Sequence, residues 1–217
     1  MQRQYSLIAT LLLCTIILAA GCTQNAGSSA QVTPPTTSPI PGISGLGLLP
    51  SEVPDGYVLN DSHIKRPEEM GTFALDLGWQ GGYAIHFVKP SRNPFNSTEI
   101  LQSIAVYPAQ NITEILAYAV QGEKSDKDMV FSSLPSPRIG DYSDAFSAKA
   151  NTQPIVKPTD NPVLTGKLEP GQTVIKKDFV EIVFSKGNTF EVFRMSGSEA
   201  NYTILRRLAE TAYRKIV

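Results

Sequence analysis

The sequence predicts an α+β domain, an antiparallel sheet of about five or six strands covered by two or three helices. Two observations carry this. Apolar runs Phe179–Ser185 and Thr189–Met195 flank Lys186-Gly187-Asn188, the turn chemistry of a β-hairpin. Elsewhere, apolar residues recur at three- and four-residue spacings, the mark of helices with one buried face, between strand-like segments joined by hairpin-length links.

Each element has a local reason. Pro54-Asp55-Gly56 turns the chain into a short strand through Tyr57, Val58 and Leu59. Pro67, Glu68 and Glu69 suit a helix first turn, with proline at the first position and acids at the positive end of the dipole. Met70, Phe73, Ala74 and Leu77 form its apolar face, and Gly78 ends it. Tyr83, Ile85 and Phe87 alternate with Ala84, His86 and Val88 as a strand, and Glu99 to Tyr107 forms the next, stopped by Pro108. Asn111, with Glu114 three residues on, predicts a helix carrying Ile115, Leu116, Ala119 and Val120 and stopping at Gly122.

After a polar connection, Tyr142 to Ala148 reads as a strand. The stretch 150–171 contains Pro154, Pro158, Pro162 and Pro170 and reads as a long loop before the hairpin. Ser196 and Glu199 form a capping box for a last helix whose buried stripe is Leu205, Leu208, Ala212 and Ile216. Arg214 and Lys215 stand at its C-terminal end, where positive charge is favourable. The predicted order is β-α-β-β-α-β-β-β-α.

Within this order, Pro54-Asp55-Gly56-Tyr57, Gly81-Gly82-Tyr83, Ile139-Gly140-Asp141 and the Phe179-x-Glu181-x-Val183-Phe184…Gly187-Asn188-x-Phe190 run resemble the PsbP-like α/β/α sandwich of small extracytoplasmic proteins. The resemblance covers most of the domain and implies a non-catalytic accessory or binding role.

Ahead of the domain, Arg3 and the amino terminus precede an apolar stretch from Leu7 to Leu18, then Ala19, Ala20 and Gly21, the layout of a secretory leader. Its apolar length falls short of the roughly 20 residues of a spanning helix. Leu18-Ala19-Ala20-Gly21-Cys22 resembles a prokaryotic lipobox, which implies removal of residues 1–21 and lipid on the Cys22 sulfur. Ala19 stands where that motif more often has leucine. Residues 22–46 follow as a tether, dense in Ser, Thr, Pro and Gly and without a charged side chain, a composition that buries no core. Such Thr/Pro tethers resemble those of envelope lipoproteins of methanogenic archaea. Residues 47–217 remain for a single α+β domain.

Chemistry is bounded by what is left. Cys14 falls in the leader and Cys22 is taken by lipid, so disulfides, thiol catalysis and Cys-ligated zinc are excluded from the mature chain. Loss of Arg3 leaves 18 basic against 20 acidic side chains, a net charge near −2, and no basic run marks a nucleic-acid partner. His63 and His86 have no metal spacing, and no phosphate-binding loop or serine-nucleophile motif is found, so neither metal nor cofactor is expected. Asp141 and Asp144 are the carboxylates that an enzymatic reading would use, with turn capping as the simpler role. Glu181 and Glu191 read as exposed hairpin positions.

Tyr57, Trp79 and Tyr83 lie among Gly56, Gly78, Gly81 and Gly82, a set able to offer rings to a sugar, lipid or peptide, although Trp79 would equally plug one end of the core. Four N-x-Ser/Thr sequons, at Asn60, Asn96, Asn111 and Asn201, are candidate glycosylation sites. The expected protein is therefore a lipid-anchored lipoprotein on the extracytoplasmic face of the cell membrane, binding an envelope protein or small ligand without catalysis. A structural surface glycoprotein and a carboxylate-dependent enzyme are the alternatives.

Overall fold

Among the described residues seven strands pair throughout in antiparallel register: β1 (Val58–Ile64), β2 (Gly81–Lys89), β3 (Thr98–Val106), β4 (Met129–Ser133), β5 (Tyr142–Ala150), β6 (Phe179–Lys186) and β7 (Thr189–Ser196). The helices are α1 (Thr72–Asp76), α2 (Ile112–Lys124) and α3 (Tyr202–Tyr213). This computed structural model describes residues 42–92, 96–151 and 177–216, all within one unit, Thr37–Val217. The leader, Cys22, most of the tether and most of the proline-rich stretch lie outside the described residues.

The strand order β1-β2-β3-β7-β6-β5-β4 joins two meanders at the sheet's centre, where β3 meets β7. On the first face, Ile85, Phe87, Ile100, Ile182, Phe184, Phe193 and Met195 pack under Leu205, Leu208, Ala209 and Ala212 of α3, and under Leu48 and Val53 of the segment before β1. On the second face, Ala105, Tyr107, Val183 and Phe190 pack under Ile112, Ile115 and Leu116 of α2, with Ala74 and Leu77 from α1 and the turn after it. Burial of each large aliphatic or aromatic side chain stabilises by about 1.5–3 kcal/mol, so these two faces hold the fold.

The α+β class holds, and the sheet is larger than the five or six strands expected. The additional strand is β4, a short edge strand whose Met129 packs with Phe146, Ala148 and Phe179 while Val130 stays exposed. The first helix is broken. Pro67–Glu69 makes a 3-10 turn and α1 starts only after Gly71. In the second, Gly122 does not stop the helix, which runs to Lys124.

The capping box expected at Ser196 and Glu199 is not formed. Ser196 ends β7, Glu199 pairs with Lys89 at 2.7 Å, and Asn201 caps α3 by accepting from the Ile204 N–H at 3.1 Å. The domain also begins earlier than residue 47. Ile43–Leu46 forms a 3-10 turn, and Ile43 is buried against Ile104 and Val106.

Candidate functional site

The three aromatic residues singled out above do not meet. Gly78, in the left-handed region at φ 76°, reverses the chain after α1 and drops Trp79 into the core of the second face among Ala105, Tyr107, Ile115 and Phe190. It is 6% exposed, so no ring face is offered to a ligand. Gly82 makes room for it, since a Cβ there would stand 3.3 Å from the indole Nε1 and 2.8 Å from the Ile104 carbonyl oxygen. Tyr57 and Tyr83 pack on the opposite face. The Tyr57 hydroxyl is buried without a hydrogen-bond partner among the described residues, and burial pushes its pKa up to about 12.

The two carboxylates of the enzymatic reading are also apart in role. Asp141 Oδ2 accepts from the Gly187 N–H at 2.7 Å and so ties the start of β5 to the β6–β7 turn. Asp144 accepts from the Ala145 N–H at 2.8 Å and lies 3.6 Å from the Lys124 ammonium. Among the described residues, no group of three His, Cys, Asp or Glu is placed to hold a metal ion.

Sequons divide by what their amide nitrogen does. Asn60 Nδ2 lies 3.1 Å from His86 Nδ1, and Asn111 Nδ2 donates to the Leu77 carbonyl at 2.9 Å. A glycan on either nitrogen would take one of its two N–H groups at an atom already engaged in a contact. Asn201 is exposed and uses its oxygen as the helix cap. Asn96 is exposed, and its backbone carbonyl accepts from Ser198 at 2.9 Å.

What the fold does leave open is one corner of the second face. Strands β2 and β3 are sealed on the first face, where Phe87, Ile100 and Ile104 are fully buried, while the edge strand β1 is exposed along its length. On the second face, α1 and α2 cover only the Trp79 end. Beyond it lie His63, His86, Glu99, Leu101 and Ser103, which the register places side by side across the three strands. Leu101 is 38% exposed at the centre of this floor.

Around that leucine the polar groups are ordered. His86 Nε2 stands 3.3 Å from Glu99 Oε2, and Lys177 Nζ donates to Glu99 Oε1 at 2.6 Å. The approach of His86 and then of the Lys177 ammonium holds the Glu99 carboxyl at about 2, against the opposing effect of burial. Lys65 lies across β2 and donates to Ser103 Oγ at 2.6 Å, and burial lowers its pKa. His63 bridges Asp61 at 2.7 Å and Glu69 at 3.1 Å, contacts that favour its protonated form and raise its pKa.

Arg194, beside Leu101 in register, spans Glu181 and Glu123 at 2.5 and 2.6 Å and lies over the Phe179 ring. The arrangement presents both signs of charge and one apolar side chain on a rigid sheet, which is equipment for recognition. Of this corner, sequence reasoning placed His86 in a strand and His63 in a polar turn beyond the first strand, whereas His63 lies within β1. The signal available was the polar and small set on alternate positions of β2 and β3.

Fold and corner together define an α+β protein built on one seven-stranded antiparallel sheet with helices on both faces. Among solved structures it is similar to the extracellular domain of PknH from Mycobacterium tuberculosis, with a TM-score of 0.51 and 10% sequence identity over 82% of this chain and 99% of that one. At that identity the likeness speaks to fold. No family model matches the chain, and no curated protein matches it.

Proposed function

We propose that this chain is a lipid-anchored, extracytoplasmic binding or accessory domain that engages an envelope partner or small ligand through the open corner of β1, β2 and β3. The observation that carries this is the asymmetry of β2 and β3, sealed on one face and floored on the other by ordered polar groups around an exposed Leu101. The lipobox-like leader and the resemblance to PsbP-like domains support the location and the non-catalytic role, and an extracellular domain of like fold is in keeping with the location. The engagement of Asp141 and Asp144 in separate local contacts weakens the enzymatic alternative. The surface-glycoprotein reading draws on Asn96 and Asn201, both exposed, with no described contact on the amide nitrogen.

Native mass spectrometry of the protein released gently from its own membrane tests the reading. The expected mass is the lipidated chain from Cys22 plus a noncovalent companion, and Leu101→Glu should shed the companion while keeping the lipid. A companion retained by Leu101→Glu would place binding elsewhere. A chain carrying only glycan would favour the surface-glycoprotein reading.

A further inference from the structure

Among the described residues two acids lie buried in the sheet, and one of them meets a cation directly. Glu181 on the second face is bonded to Arg194. Glu191 on the first face is fully buried, in register between Ile104 and Phe184. Its Oε2 accepts from Gln102 Nε2 at 2.9 Å, while its Oε1 has no hydrogen-bond partner among the described residues. Gln102, itself buried, accepts from the Leu48 N–H at 2.8 Å through its own oxygen.

One glutamine therefore joins the buried acid to the segment 42–53. Lys215, just past α3, grips the same segment, donating to the Gly47 carbonyl at 2.6 Å and to Glu52 at 2.5 Å. Ile43, Leu48 and Val53 anchor it by burial. The titratable and charged groups facing this region are Lys215 after α3, Glu52 on the segment, Tyr83 on β2, and Lys186 at the end of β6, which donates to the Ile216 carbonyl and lies over the Tyr213 ring. β3 contributes the uncharged Gln102.

We propose that the segment 42–53 is a releasable strap, docked while Glu191 is protonated and lifted when Glu191 ionises. A neutral carboxyl can stay buried with one hydrogen bond. An ionised one in the same place lacks the bonds that would replace its hydration. The strap is the layer above it held by neither helix nor sheet ladder, so opening there hydrates the charge with least loss of structure.

Burial pushes the Glu191 carboxyl up to about 7, against the Gln102 bond and the attraction of Lys215. For an acid raised on docking, the contribution to docking is complete below its ordinary value and is lost as pH rises through about 7. Release would free residues 42–53 to extend, adding up to about 40 Å of reach between the domain and its anchor.

Hydrogen exchange on the full chain tests this without any ligand, comparing the Leu48 amide with that of Ile182 in β6. After correction for intrinsic rates, the Leu48 opening constant should rise on the order of 100-fold from pH 5 to pH 8, well beyond any rise at Ile182. Glu191→Gln should flatten that rise, and Glu181→Gln should keep it. Leu48 exchanging only together with Ile182, through global unfolding, would overturn the proposal. So would the same pH dependence in Glu191→Gln. Should that variant fail to fold, the Leu48–Ile182 comparison in the unaltered chain still decides.

Discussion

Trp79 shows how a residue can be read correctly for its neighbours and wrongly for its direction. The glycines around it do signal close approach, and Gly82 passes under the indole as such a glycine would. Which face the ring takes depends on β2 register and on α2 lying above, and neither is written locally. With Trp79 embedded in the second-face core, Trp79→Ala should cost about 3–5 kcal/mol of stability, read by urea unfolding followed by circular dichroism. A loss under 1 kcal/mol would mean the ring is not packed as described. The acids teach the reverse lesson. Glu181 and Glu191 look exposed because acids in strands usually face solvent, yet both faces of β6 and β7 are covered here, and the two are buried on opposite sides. Sequence alternation marks which residues share a face; it does not mark whether that face is roofed.

At the scale of elements, β2, β3, β6, β7 and the last helix were legible because each carries a run of apolar side chains long enough to set its period, whereas β1 runs on past Leu59 through the polar residues Asn60 to His63. Met129–Ser133 escaped because five residues at an edge, within a polar stretch, offer only Met129 and Phe131 as an inward pair. α1 is shorter than expected because the backbone extends at Met70 and Gly71 between the proline turn and the helix. The start of α3 separates two capping solutions. Asn201→Ala removes the bond to the Ile204 N–H and should cost about 1 kcal/mol, whereas Ser196→Ala should leave the helix cap unaffected. Thermal unfolding of the two variants checks this, and the opposite ranking would restore the capping box.

At the scale of the whole molecule, the buried and paired groups give stability a definite pH profile. Glu99, held at about 2, contributes fully above the ordinary carboxylate range and loses its contribution as pH falls toward 2. Glu181 and Glu191, both pushed up to about 7, act oppositely, with stability draining as pH rises through about 7. The raised pKa of His63 adds in the same sense on the alkaline side. The thermal midpoint should therefore be highest near pH 5 and fall on both sides. Glu99→Gln should soften the acid limb and Glu191→Gln the alkaline one, and a midpoint still climbing from pH 5 to pH 8 would contradict the burial of both acids. The order in which the strands sit was the least legible property of the fold, because the central β3–β7 pairing joins Glu99 to Ser196 and Val106 to Thr189 across most of the domain. That pairing also governs how the molecule is made. A chain delivered N-terminus first presents β1, β2 and β3 long before β7 arrives, so β3 waits with an unsatisfied edge and the apolar row of Ile100 and Ile104 uncovered. Closure of the sheet waits for β7, which makes a chain truncated or stalled before β7 a template for aggregation and makes slow, late folding a property of the topology itself.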